Sequence, residues 1–413
     1  MKQLFINAVL VTVMATTGAV AKNSPVVEVD SEMSLRAAID SANHDDRIKK
    51  IIFKNNVYIE LNAPVIYSGT QELEVFGNNA VIDGHNAGSF EFGEDLVAIT
   101  DDASLIFNTA SNITIHALSV VNSATRGIVI NIPLDAHGTD IEVTLDRVNI
   151  SNSALYGLHV DDNADAFDNG LVGSDIGVNL KISHSSFTQN GTGAIDFDGV
   201  RVDERGLGGI YAEITDTHID MNGGDGIELD EAGPGDVVVN MRHGTLNENG
   251  FFNPKDLDDG FDIDEAGAGD VEVMFFDIEV KSNQDEGLDF DESGEGDVYA
   301  VLRQVTAMTN FDEAIKIDEE GEGDILVRMA KVIADDNGDD GIQLTELGEG
   351  VINAWLKKVS ATNNVKYGIK LEQRVVEDEV RLLGVPGRLK VKKVVLSGNH
   401  KGNTIKTNNV NVI

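Results

Sequence analysis

From residue 225 onward, apolar and charged residues alternate with a period of two, in short runs separated by glycine turns. Ile227 and Leu229 alternate with Glu228 and Asp230, and Leu288 and Phe290 alternate with Asp289 and Asp291. Alternation over so few residues predicts a strand with one face buried. The runs are copies of one text. Asp225-Gly-Ile-Glu-Leu-Asp-Glu-Ala-Gly-Pro-Gly-Asp236 returns at Asp259 to Asp270, at Glu286 to Asp297 and at Glu313 to Asp324. A degraded copy begins at Asp340, and Tyr367-Gly-Ile-Lys-Leu-Glu372 is a shorter echo. The shared small residue falls at 226, 260, 287, 314, 341 and 368. Four intervals are therefore 27, and the first is 34 because Phe251 to Asp256 lies in an insertion.

A second mark keeps the same register. Asn stands four residues before the small residue at Asn190, Asn222, Asn283, Asn310, Asn337 and Asn364. Asn249 joins once the insertion is discounted, while Asn122 and Asn152 sit one residue off. Looser copies run upstream as Gly127-Ile-Val-Ile-Asn131, Gly157-Leu-His-Val-Asp161 and Ala194-Ile-Asp-Phe-Asp198. Each copy holds a first strand, a Gly-x-Gly turn, a second strand such as Val298 to Arg303 and a third such as Val305 to Met308. Three strands and three turns per repeat predict an all-β chain, a right-handed parallel β-helix whose coils stack at ~4.8 Å. The Asn column then forms an amide ladder along the axis. Ser34 to Asn43 reads as a short amphipathic helix, with Ser34 as N-cap, that plugs the open end of the stack. The expected organisation is a leader at 1–21, an N-terminal cap and first strand at 22–60, coils at 61–395 and a C-terminal cap or tail at 396–413.

The N-terminal third carries a family resemblance. Ile51 to Phe53, Leu73 to Gly77, Val81 to Gly84 and Ser111 to Val120 look like the opening coils of the pectin lyase-like superfamily. The resemblance covers most of the chain as architecture. It implies a β-helix but no single activity, because that superfamily holds lyases, hydrolases, epimerases, tailspikes and non-catalytic surface proteins.

Charge narrows the choice of partner. Lys plus Arg number 31 and Asp plus Glu 71, a formal charge of −40, which excludes nucleic acid and anionic lipid as partners. Cys is absent, so disulfides, thiolate catalysis and Cys-ligated metals are excluded. Lys2, the apolar stretch from Leu4 to Met14 and the small-x-small site Ala19-Val20-Ala21 read as a signal peptide cleaved after Ala21. The apolar stretch is shorter than the ~20 residues of a membrane span, and no later segment is long enough. Export to the periplasm, the cell surface or the medium is expected.

Stacked coils align their acidic residues. The outward position after the second buried residue includes Asp230, Asp264, Asp291 and Asp318. The next includes Glu231, Glu265, Glu292 and Glu319, and the turn exit includes Asp236, Asp270, Asp297 and Asp324. Residues 220–350 hold 37 acidic and 7 basic side chains, whereas 351–413 hold 12 basic and 4 acidic. Two carboxylates ~4.8 Å apart repel by roughly 0.9 kcal/mol in water and by about four times more at an effective dielectric of 20. Calcium, which takes oxygen ligands from carboxylates and turn carbonyls, relieves that strain, so these twelve residues are the candidate ligands. A solvated acidic face with diffuse counter-ions is the alternative.

Catalytic candidates are sparse. Lys316, the first cation in the column Asp196, Glu228, Asp262, Asp289, Lys316, is a weak candidate base; its carboxylate neighbours raise its pKa and favour charge relief instead. His159 and Arg126 read as surface residues. Asp339-Asp340-Gly-Ile is locally similar to the paired aspartates of polygalacturonases, but His243-Gly244 precedes it and no Arg-Ile-Lys follows. Tyr299, Leu326 and Ile352, with Met274, Val301 and Ala354, read as an apolar outward stripe able to hold sugar rings, a partner strand or another copy, with Tyr299 the candidate ligand contact. Trp355 reads as core. The expected function is an acidic, calcium-associated binding or structural protein acting at the cell surface or on extracellular polysaccharide. The alternative is a calcium-assisted polysaccharide lyase or related carbohydrate-active enzyme.

Overall fold

Every repeat closes one turn of a right-handed parallel β-helix. A computed structural model describes residues 25–93, 97–162, 172–253, 257–374 and 384–413, so the expected leader lies outside the described residues. One sheet of 12 strands stacks the first strand of each coil. The second and third strands merge into one sheet of 21, because several run on as single strands of 11 residues, such as Val271–Lys281 and Val298–Met308. These bend around one left-handed residue, Asp277 at φ 62° and Gln304 at φ 59°. A second left-handed residue closes each coil, as Ser282, Thr309 and Asp336 do at φ 57–59°. Coil-to-coil pairing is parallel throughout both large sheets, with Phe261, Leu288 and Ile315 in one register column. All three are 0 % exposed, inside one continuous core running from Val29 to Val410.

The Asn ladder exists and is longer than expected. Nδ2 of Asn283 donates to Oδ1 of Asn310 at 3.0 Å, Asn310 to Asn337 at 3.0 Å, and Asn364 to Asn399 at 3.0 Å. Each Oδ1 also accepts the backbone N–H of the preceding Asn, as Asn310 does from Asn283 at 3.2 Å. The ladder explains the small residue: a Cβ on Gly287 would lie 2.7 Å from Asn310 Nδ2. Asn310→Ala removes the acceptor of the buried Asn283 N–H and of one Asn283 Nδ2 hydrogen, and leaves Asn337 Oδ1 with the backbone N–H of residue 310 alone, a loss of about 3 kcal/mol. Its melting temperature should fall by several degrees in a thermal scan, whereas Thr309→Ala, on the exposed side, should barely move it.

Two details at the ends differ from expectation. The capping helix is Glu32–His44 and its N-cap is Ser31, whose side chain accepts from Ser34 N while the Ser34 side chain accepts the Ser31 N–H. Ser34 is thus the third helical residue of a capping box and not the cap. The helix buries Leu35, Ala38, Ile39 and Ala42 against the first coil. Coils also extend past 61 and 395: Val26–Val29 pairs with Lys50–Phe53, and Val410–Val412 with Gly387–Leu389.

The second-strand register is one residue different from the expected one in the coil after Gly350. Val351 takes the place of Asp324, donating its N–H to Asp324 Oδ1 at 2.8 Å, so the spacing of 27 persists. Ile352 therefore pairs with Ile325 and points inward, fully buried, and Leu356 joins Met329 in the core. Trp355, expected in the core, faces outward at 42 % exposure beside Arg328.

Candidate functional site

The predicted acidic columns divide into three roles. Glu231, Glu265, Glu292 and Glu319 continue the inward phase of their strands and end buried at the turn, 0–2 % exposed. Their Oε1 atoms accept turn N–H groups, Glu231 from Gly233 at 3.0 Å and Glu319 from Gly323 at 3.0 Å. Glu204 and Glu346 extend this column on either side with the same turn contacts. The Oε2 atoms of all six are buried without a donor when ionised. Burial, followed by the neighbouring Glu204 and Glu265, pushes Glu231 up to about 10. Burial likewise raises Glu292 to about 9 and Glu319 and Glu346 to about 7.

Asp236, Asp270, Asp297 and Asp324 form a ladder of another kind. Each Oδ1 accepts the backbone N–H of the next coil, at 3.0 Å for Asp236 to Asp270 and 2.8 Å for Asp270 to Asp297. Asp230, Asp264, Asp291 and Asp318 do face outward, in a shallow depression of about 430 Å³. Arg205 holds both oxygens of Asp230. Burial with flanking Asp230 and Asp291 raises Asp264 to about 6. The twelve predicted ligands are therefore not one site: eight brace turns through peptide N–H groups, and four line the outer face.

Carboxylates converge closely at other positions, just before and within the first strand. Asp225, Glu228 and Asp262 bring one oxygen each within 4.8 Å of one another, and so do Asp259, Glu286 and Asp289. The signal was present in the repeated acidic residue immediately before each small residue. Lys316 closes this run, reaching Asp289 at 2.5 Å and Glu286 and Asp291 at 3.5 Å. Burial opposes its charge, but Asp289, Asp291 and Glu286 more than offset that and hold the ammonium well above its ordinary range. Such a lysine is a poor base. Asp339 pairs with Lys366, and Asp340 Oδ1 accepts the Tyr367 N–H, so the polygalacturonase-like pair is engaged by the next coil.

Toward the N-terminus the same face carries a set that sequence reasoning placed on the surface. His159 and Arg126 are buried, at 7 % and 8 % exposure. His159 Nε2 lies 2.7 Å from Asp203 Oδ2, and Arg126 Nη1 lies 3.3 Å from His159 Nδ1. Arg201 Nε donates to Asp203 Oδ1 at 2.7 Å, and the Tyr156 ring packs 4.6 Å from the imidazole. Burial alone would raise Asp203, but Arg201 and His159 hold it below the ordinary carboxylate range. Burial lowers His159 despite Asp203. A neutral imidazole oriented by a carboxylate, with guanidinium groups alongside, can exchange a proton next to an anion. His159 and Asp203 are 44 residues apart, and only the register of the less regular early coils joins them.

The third feature lies on the larger sheet, near the basic end. Tyr299, Leu326, Arg328, Asn353, Trp355, Arg388 and Lys390 line a groove of about 470 Å³, together with Val301, Val327 and Ala354. Lys390 sits 5.5 Å above the Trp355 ring. Tyr299 donates its hydroxyl to Asp297, which raises it to about 12. Tyr299 thus falls where the outward stripe was expected, and the register correction adds Trp355 and Asn353 while turning Ile352 and Ala354 inward.

No family model matches the sequence, and no curated protein matches it either. In fold the chain is similar to the periplasmic alginate epimerase AlgG, at 11 % identity and TM-score 0.41, over 88 % of this chain and 76 % of that one. It is also similar to the Streptococcus pneumoniae surface protein and adhesin PfbA, at 10 % identity and TM-score 0.30, over 93 % of this chain and 99 % of that one. What is shared at such identities is the coil, and no residue role passes to this chain. Among the described residues no helix is long and apolar enough to cross a membrane.

Proposed function

We propose that this rod is an exported binding protein that holds an anionic polysaccharide in the groove at Tyr299 and Trp355. One observation carries the reading: on a chain of formal charge −40, the described residues that line this groove include Arg328, Arg388 and Lys390 and no carboxylate. Aromatic rings offer faces for the apolar sides of sugar rings, and guanidinium groups pair with carboxylate or sulfate in a fixed geometry. The groove crosses successive strands along the coil axis, and the acidic central coils repel the polymer. Titration with a polyuronate, a sulfated glycan and a neutral glucan tests this. The anionic polymers should bind and the neutral one should not. Trp355→Ala and Arg328→Ala should each weaken binding about tenfold, ~1.4 kcal/mol. Equal binding of the neutral glucan, or no effect of either substitution, would remove the reading.

A second reading, a polysaccharide lyase or related carbohydrate-active enzyme, is favoured by the His159–Asp203–Arg126 set. It requires turnover, which appears as the ultraviolet absorbance of an unsaturated uronide or as a change in polymer composition. His159→Gln would abolish such turnover and leave binding at Trp355 intact, since the two features lie on different sheets.

A further inference from the structure

On the outer face of the 12-stranded sheet one register column reads Arg201, Glu228, Asp262, Asp289, Lys316. Basic side chains close both ends: Arg201 pairs with Glu228, and Lys316 pairs with Asp289. Between them lie the two convergent triads, and no ion pair joins Asp262 to a basic side chain among the described residues. Asp259 is 8 % exposed and Asp289 6 %, and Oδ1 of each is buried with no hydrogen-bond partner. Such oxygens are not the ones that brace the turns. They belong to side chains turned toward one another, where a donor or a cation is missing.

We propose that a hard divalent cation of the calcium class binds between successive coils at Asp259, Glu286 and Asp289, with a second site beside it at Asp225, Glu228 and Asp262. The donor set is entirely carboxylate oxygen, which suits a hard cation and not a soft one. Water and nearby carbonyl groups complete the six to eight ligands that calcium takes. Lys316 shows how the trough deals with positive charge: an ammonium from the next coil settles onto Asp289, beside Glu286 and Asp291. In the coils between Arg201 and Lys316, Asp225, Asp259 and Asp262 have no such cation among the described residues, while Glu228 and Asp289 each share the basic side chain at their end of the column. The expected calcium residues at Asp230, Glu231, Asp236 and their copies are not required, because the turn carboxylates already accept peptide N–H groups. The inference is independent of the glycan groove, which lies on the other sheet.

The test is calorimetric titration of the intact protein with calcium chloride, paired with thermal melting in calcium chloride or sodium chloride at matched ionic strength. Saturable binding is expected, with a melting temperature that climbs with calcium beyond the sodium control. Asp259→Asn combined with Glu286→Gln should weaken calcium binding about tenfold or more while leaving the metal-free melting temperature no lower. Glu231→Gln combined with Glu292→Gln should keep the calcium binding. An identical response of the parent protein to the two salts overturns the proposal without reference to any variant. So does undiminished binding by the folded Asp259→Asn/Glu286→Gln protein, or loss of binding in Glu231→Gln/Glu292→Gln.

Discussion

Leu288→Asp should destroy the cooperative melting of the central coils, whereas Asp262→Asn, on the outer face of the neighbouring coil, should not lower the melting temperature. Leu288 is 0 % exposed and stacked between Phe261 and Ile315 in the inward column. Aspartate there removes the burial of a large aliphatic side chain and leaves a cavity, about 2–5 kcal/mol. It also places a carboxyl group with no donor in the core, a further few kcal/mol. Together these approach the whole stability of a typical domain, about 5–15 kcal/mol. A stacked solenoid passes the damage on, because each coil is held chiefly by its two neighbours. Asp262 has no basic partner among the described residues, and its amide would relieve repulsion from Asp264 and Asp225. Circular dichroism melts in the presence of a chelator distinguish the two outcomes. Similar melting of both variants would mean that the inward and outward phases are not those described.

The phase was legible because the alternation at Ile227, Leu229, Leu288 and Phe290 is strict and repeats at a spacing of 27. The Asn ladder was legible for the same reason, since one amide per coil has only one place to go. Glu231 and its copies were harder. Counted through the strand they fall on the inward side, yet their charge suggested solvent; the turn N–H groups of Gly233 and Gly235 reconcile the two. Trp355 was misplaced by matching Gly350-Val351 to the Gly-Asp-Val of earlier copies by residue type. Spacing, not chemistry, holds register in a stacked coil, because every strand must meet the one before it. The His159–Asp203 pair lay beyond pattern altogether, because the copy that pairs with residues 157–161 is 199–203 and not the expected 194–198. The convergent triads needed side-chain directions: the residue before the small one and the first outward residue of the strand, three positions on, bring their carboxylates together.

Stability of the metal-free protein should fall as pH rises from about 5 to 9, and Glu292→Gln should flatten that fall. The buried glutamates at 204, 231, 292, 319 and 346 have folded-state values between about 7 and about 10, against an ordinary 4.5. Groups raised in this way bind protons more tightly when folded. Their contribution is complete below the ordinary value and is lost as pH climbs through each folded value, so the window opens near 4.5 and extends to about 10. The physical cause is first the burial of these carboxyl groups and then the neighbouring carboxylates, with the unpartnered Oε2 of each residue stacked on the next at the ~4.8 Å coil spacing. A shared proton supplies the missing donor, and stripping it leaves adjacent buried charges. Each unit of displacement corresponds to ~1.4 kcal/mol, so the column as a whole amounts to several kcal/mol across the window. Glutamine keeps the Oε1 acceptor for Gly296, whose N–H lies 3.1 Å away, and carries its own donor without a charge. Glu292→Gln should therefore raise the melting temperature at alkaline pH and leave it nearly unchanged in acid. Glu295→Gln, exposed on the same turn, should do neither. Melting curves recorded across this range in a chelator decide the matter. A parent protein that is equally stable at both ends, or more stable at the alkaline end, would show that the glutamate column is not held together by protons.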